Sequence, residues 1–190
     1  MGGSGTKFLA TMLNKSKNWN VEHEGMYDDI NGFDVSSVNE ILNKKRTIEN
    51  YGDVNGFLRT SLHEFSGVDK KAIILRDPKE CLLSWYDHWQ ADKEKLYNYF
   101  CKTYFALVYF DKYLQEGISQ ISFKEMTTNP DYLNEVAKYL GIIDVTFTQD
   151  DCNNKINTHY KNRIQYSDIP EMERLTFEHL TDWFTNKYIL

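Results

Sequence analysis

A glycine-rich opening, Gly2-Gly3-Ser4-Gly5-Thr6-Lys7, runs straight into a stretch with Phe8, Leu9, Met12 and Leu13 at helical spacing. Glycines let successive backbone N–H groups converge on an anion, and a helix starting there adds its positive end. About seventy residues on, the apolar run Ala72-Ile73-Ile74-Leu75 closes on Arg76-Asp77-Pro78, with Ser84 eight residues after the arginine. A guanidinium at the carboxyl end of a strand can hold a phosphate through two parallel hydrogen bonds. A serine about two turns into the next helix adds a hydroxyl donor. Together these groups suit a nucleotide carrying separate 5′ and 3′ anionic groups. Each alone has a plainer reading: an ordinary glycine turn, an Arg76 ion pair with Asp77 or Glu80, and a small packing serine.

Several elements must position these groups. Helical spacing spans residues 6–17, and Val21 with its neighbours reads as a short strand leading to Glu22-His23-Glu24. Helices are expected over 38–50 and 54–66, the second with Leu58, Leu62 and Phe65 inward. Residues 72–75 suit a strand covered on both faces. Asp77, Pro78 and Glu80 form a capping-box pattern opening a helix to about Trp89, and Asn129-Pro130 repeats the cap-then-proline start. A long aromatic helix covers 93–115, with Leu96, Tyr97, Phe100, Tyr104, Leu107 and Val108; its stripe reads as core, and its surplus tyrosines are candidates for lining a cleft. Ile121-Ser122-Phe123 is a further strand, and helices follow at 130–140 and 171–186. Strands alternating with helices imply a parallel α/β sheet in a single domain, 1–190. A phosphate loop normally follows a strand, and here the chain opens on the loop. Either the first strand is missing from the sequence as given, or the sheet is built without it. Residues 1–5 also have the composition of a flexible linker.

Composition narrows the classes. A net charge of −6 argues against a nucleic-acid binder, so an anionic ligand needs a local cluster of donors. Cys81, Cys101 and Cys152 have neither CxxC pairing nor metal-ligand spacing, and read as reduced thiols of a cytoplasmic protein. No apolar run reaches membrane-spanning length, and no signal-peptide core opens the chain. No metal is expected.

The glycine opening, the Arg-Asp-Pro with its serine, and a third stretch together resemble the sulfotransferases that use 3′-phosphoadenosine 5′-phosphosulfate (PAPS). The third stretch is Ile121-Ser122-Phe123-Lys124-Glu125-Met126 through Asn129-Pro130 to Tyr139-Leu140-Gly141. It is similar to that family's strand, acidic residue, Asn/Asp-Pro and closing Phe-Leu-Gly. The resemblance covers nearly the whole chain in order. It implies a three-layer P-loop-like fold with a short central parallel sheet flanked by helices. It also implies sulfuryl transfer from PAPS to a hydroxyl or amine of a small-molecule or glycan acceptor, without a metal. By the same resemblance Gly3, Ser4, Gly5, Thr6 and Lys7 hold the 5′-phosphosulfate, and Arg76 and Ser84 hold the 3′-phosphate.

The acceptor must lose a proton as the new bond forms. In the glycan-modifying branch a catalytic glutamate lies at a similar distance past the loop threonine, which makes Glu24 the first candidate base and His23 the second, favoured by its near-neutral pKa. Tyr51-Gly52-Asp53-Val54-Asn55-Gly56-Phe57-Leu58 is similar to a segment near the acceptor site, with Asp53 and Asn55 as possible contacts; its plain reading is a turn before a helix. Many family members carry a cation where Gly3 stands, which neutralises charge on the leaving phosphate; the nearest one here, Lys7, is the candidate for that catalytic role. Lys155, Lys161 and Arg163 fall where relatives bring a basic loop over the nucleotide. The alternatives are a nucleotide kinase or NTPase with a degenerate loop, whose only magnesium carboxylate at a strand end is Asp77, and a non-catalytic nucleotide-binding relic.

Overall fold

The structure is a computed structural model and describes residues 5–24, 39–40, 43–45, 47, 50–56, 61–65, 67–89, 93–153 and 165–190, apart from the side chains of 87–89 and 93–94. Of the residues singled out above, Gly2, Gly3, Ser4, Phe57, Leu58, Lys155, Lys161 and Arg163 lie outside the described residues. The fold is mixed α/β and mostly helical. In chain order it runs α1 (Thr6–Leu13), β1 (Trp19–His23), β2 (Asn50–Val54), β3 (Ala72–Leu75), α2 (Pro78–Trp89), α3 (Lys93–Gln115), β4 (Ser119–Ser122), α4 (Phe123–Thr128), α5 (Pro130–Tyr139), α6 (Gln149–Asn153) and α7 (Glu171–Tyr188). Among the described residues the strands make two parallel pairs instead of one continuous sheet. β1 lies beside β2 with Trp19 opposite Asn50, and β3 lies beside β4 with Ala72 opposite Ser119. Parallel partners cannot be joined by a hairpin; between β3 and β4 the chain crosses over through α2 and α3.

Alternation along the strands assigns their faces. Val21 of β1 packs with Phe8, Leu9, Met12 and Leu13 of α1, and the same cluster takes in Ile121 of β4, Met126 of α4 and Leu133 of α5. Ala72 and Ile74 border that cluster, whereas Ile73 and Leu75 turn the other way, onto Leu107, Phe110 and Tyr113 of α3 and Phe184 of α7. β3 is thus covered on both faces, as its continuous apolar run requires. On α3 the buried side is Leu96, Tyr99, Phe100, Leu107, Phe110 and Tyr113, while Tyr97, Tyr104, Phe105 and Val108 face out. Cys81 and Cys152 are buried free thiols and Cys101 is an exposed one; burial pushes the Cys81 thiol up to about 11. Among the described residues no helix is long and apolar enough to cross a membrane.

Three local expectations are corrected. The helix expected over 54–66 is not seen among its described residues: Val54 ends β2, Leu62–Glu64 is a short 3₁₀ turn, and Phe65 is extended. Pairing with β1 draws 50–54 into a strand despite its glycine and aspartate, residues poor in strands. The strand expected at 121–123 stops one residue early. The Ser122 hydroxyl accepts the Glu125 amide and caps α4, so Phe123 opens a helix. The first helix ends at Leu13 instead of 17, because Asp144 binds the Ser16 hydroxyl at 2.7 Å and the Lys17 amide at 2.9 Å and pulls the chain away from the helix axis.

Candidate functional site

The chemistry-bearing residues gather where the strands end. Gly5 begins α1 with φ of 90°, a left-handed conformation that glycine adopts without strain. The space a Cβ would need there is filled: it would lie 2.3 Å from Cδ2 of Phe123. Phe123 is the residue directly after β4, so the amino end of α1 sits on the carboxyl end of that strand. Thr6 follows, and its Oγ1 lies 3.0 Å from Nε2 of His23, the last residue of β1. Lys7 is exposed on the first turn.

Arg76 leaves β3 at the same edge. Its guanidinium carbon stands 4.2 Å over the ring of Phe123, the ring that Gly5 abuts. The helix-opening glycine and the guanidinium therefore meet the same phenyl ring. The Arg76 Nε also donates to Glu80 Oε2 at 3.0 Å, the ion pair that the plainer reading anticipated. Ser84 is half-buried one turn beyond Glu80 on α2, on the same helical face by its i+4 spacing. Asp77 caps α2 by accepting the Lys79 amide at 2.8 Å. Its Oδ1 is thus engaged in holding the helix start.

At the end of β1 the two candidate bases are adjacent but differently placed. His23 Nε2 faces Thr6, and Glu24 Oε1 is 3.9 Å from the same ring nitrogen. Among the described residues Glu24 is the one non-glycine residue with positive φ, 57°. Such a conformation costs free energy and persists only where neighbours impose it. Here the Glu24 amide donates to Val54 O at 3.2 Å, and its carboxylate lies close over Gly56, where a Cβ would come within 3.2 Å of Oε1.

The opposite face of the β1–β2 pair carries a second polar group. Glu22 is opposite Asp53 in register, and the Tyr51 hydroxyl lies 3.0 Å from a carboxylate oxygen of each. Lys45 donates to Glu22 at 2.5 Å and stands 4.8 Å over the Tyr51 ring. Burial raises the Glu22 carboxyl, but hydrogen bonds from Lys45 and Tyr51 and the lysine's charge outweigh it and hold Glu22 below the usual carboxylate range. Burial, followed by the charges of Asp53 and Glu22, pushes the Tyr51 hydroxyl well above its ordinary value.

The structure thus brings Gly5, Thr6, His23, Glu24 and Arg76 to one edge, with Lys7 and Ser84 on the adjoining helices. It does not bring Asp53 there, because Asp53 shares a face with Glu22 and not with His23. Asn55 is half-buried just past β2, next to the Gly56 that meets Glu24. Sequence reasoning missed Phe123, which makes the edge a single surface, and the pairing of Lys45 and Tyr51 with Glu22. Neither has a spacing signature, since both depend on residues distant in the chain.

No family model matches this chain, and no curated protein or solved structure matches it.

Proposed function

We propose that the chain is a sulfotransferase: it moves the sulfuryl group of PAPS to a hydroxyl or amine of an acceptor, a glycan or a small molecule. The observation that carries this reading is Phe123, which touches Gly5 on one side and the Arg76 guanidinium on the other. A nucleotide with 5′ and 3′ anionic groups needs two separate donor sets, and the opening of α1 and Arg76 both meet this ring. The backbone N–H groups opening α1 take the 5′-phosphosulfate with Thr6 and Lys7. Arg76 and Ser84 take the 3′-phosphate, with the incoming dianion competing with Glu80 for the guanidinium.

In the transfer, the bond between sulfur and the phosphate oxygen breaks as the acceptor oxygen or nitrogen bonds to sulfur. The acceptor's proton passes to the base, and adenosine 3′,5′-bisphosphate leaves. Of the two candidate bases the distances favour His23, which adjoins the loop threonine, with Glu24 behind it to steady a developing imidazolium. The remaining work is positioning and charge stabilisation by fixed donors.

The first test is a thermal-shift comparison of adenosine 3′,5′-bisphosphate with ADP and AMP. The expected result is a clear rise in midpoint with the 3′,5′-bisphosphate and little with the others. Equal shifts from all three would remove the case for a 3′-phosphate site. Sulfate transfer from labelled PAPS to a panel of sugars and phenols then tests turnover.

A further inference from the structure

Two parallel pairs of strands leave β2 and β3 as edge strands, and both edges line one cleft. Its walls include residues 51–54 of β2 and 72–74 of β3, each in unbroken succession. Side chains on one face of a strand recur at every second residue. A cavity bordered by consecutive residues runs along the strand's edge, beside its backbone. Its apolar walls come from Leu9 and Leu13 of α1 and from Phe110 of α3 with Phe65, while Thr6, Asn55 and the Asp69-Lys70-Lys71 run ahead of β3 add polar groups. The cleft has a volume of about 260 Å³.

The direction of this cleft follows from contacts already described. The amino end of α1 meets the carboxyl end of β1 through Thr6 and His23, and that of β4 through Gly5 and Phe123. The two pairs therefore run the same way, and the amino end of α1 stands at the carboxyl end of the cleft. α1 then runs back along it, presenting Leu9 and Leu13.

We propose that this cleft receives a fifth parallel strand, an apolar segment joined to the chain ahead of the glycine-rich opening. Two parallel edges on either side call for an extended occupant that can pair with both. Apolar layers above and below call for apolar residues at odd and even positions alike. The five residues of β2 and four of β3 set its length. A strand running with its neighbours would end where α1 begins, at Gly5 with its left-handed φ of 90°. This inference stands without the nucleotide reading, and its test uses no nucleotide.

The experiment appends two lysines and then Val-Ile-Val-Ile-Val ahead of Met1 of the full chain. Two control extensions replace the pentapeptide with Ser-Asn-Ser-Asn-Ser or with Val-Ile-Pro-Ile-Val. The all-apolar strand is expected to raise the unfolding midpoint by about 5 °C or more over the Ser/Asn control, a shift of the size a modest gain in stability produces in a domain of this length. Amide exchange at 51–54 and 72–75 is expected to slow at least about tenfold, because those edges gain partners. The proline version keeps the apolar character but cannot complete the pairing, so it is expected to lose most of both effects. Equal midpoints and exchange for the all-apolar and Ser/Asn extensions would overturn the proposal. So would equal protection by the proline version, which would make the cleft a site for apolar matter without strand pairing.

Discussion

At the end of β1 the chain places a histidine beside a threonine and a glutamate in a left-handed conformation. At the ends of β3 and β4 it places a guanidinium over a phenyl ring and two capped helix starts. The first edge, with the Glu22–Lys45–Tyr51–Asp53 cluster behind it, is rich in groups that exchange or share protons. At the second, the Arg76 guanidinium stacks on the Phe123 ring and pairs with Glu80, a carboxylate that is half exposed. A surface divided in this way separates proton removal from anion holding. α1 joins the halves, because its N-cap Gly5 meets Phe123 and its first residue, Thr6, meets His23.

The largest effect is expected at that junction. Gly5→Ala introduces a Cβ at a left-handed φ and 2.3 Å from Phe123 Cδ2, with Met126 Cε at 2.8 Å. Conformational strain and overpacking together are expected to cost about 2–5 kcal/mol. Gly117 provides the contrast: its φ is 84°, but a Cβ there meets nothing within 4 Å. Gly117→Ala should therefore show the conformational cost alone, about 1–2 kcal/mol. Equal losses in denaturant unfolding of the two variants would mean that Phe123 does not hold the helix start in place.

Arg76→Ala separates the halves by ligand. It is expected to weaken binding of adenosine 3′,5′-bisphosphate by well over about tenfold in calorimetry, as loss of a charged hydrogen bond worth roughly 1.5–3 kcal/mol implies. AMP, which lacks the 3′-phosphate, should bind the variant about as it binds the parent. Unchanged affinity for the bisphosphate would place its second phosphate away from β3.

Legibility from sequence follows the same division. Residues 72–89 could be read in advance because their determinants are local: a run of Ala, Ile, Ile and Leu for β3, then the Asp77 cap and Pro78 for α2. The long helix 93–115 also matches its expected bounds, carried by many consecutive turns of apolar spacing. β2 could not be read in this way. The helix expected over 38–50 ends at residue 50, Gly52 and Asp53 suggest a turn, and only pairing with β1, distant in the chain, makes 50–54 a strand. Within the site, Gly5, Thr6 and Arg76 were visible as types at a spacing. Their meeting at Phe123 was not, since it depends on Ser122 capping a helix that turns the ring toward α1.

The β1–β2 cluster can be tested by removing its hinge. In Tyr51→Phe the two carboxylates of Glu22 and Asp53 lose the hydroxyl they share, and each is left with one polar partner fewer. A loss of about 1–3 kcal/mol in unfolding free energy is expected at neutral pH. Bisphosphate affinity should be nearly unchanged, because the cluster lies on the face away from His23. A parallel fall in affinity would show that the cluster takes part in the nucleotide site after all.

The smallest effect separates charge from packing within that cluster. Glu22 has its pKa lowered, so its contribution to stability is fully present above its unfolded value, near 4.5, and is lost as the pH falls through the lower folded value. Lys45→Met removes the ammonium and leaves burial as the main influence on the carboxyl, which then titrates higher. The variant should be less stable than the parent at pH 7, by about 1 kcal/mol or less, because the pair is partly solvated. As the pH drops below about 4 the parent loses this ion-pair contribution, and the two unfolding midpoints should converge. A gap that stays constant from pH 7 to pH 3 would assign the role of Lys45 to its stem packed on the Tyr51 ring, 4.8 Å from the ammonium, and not to its charge.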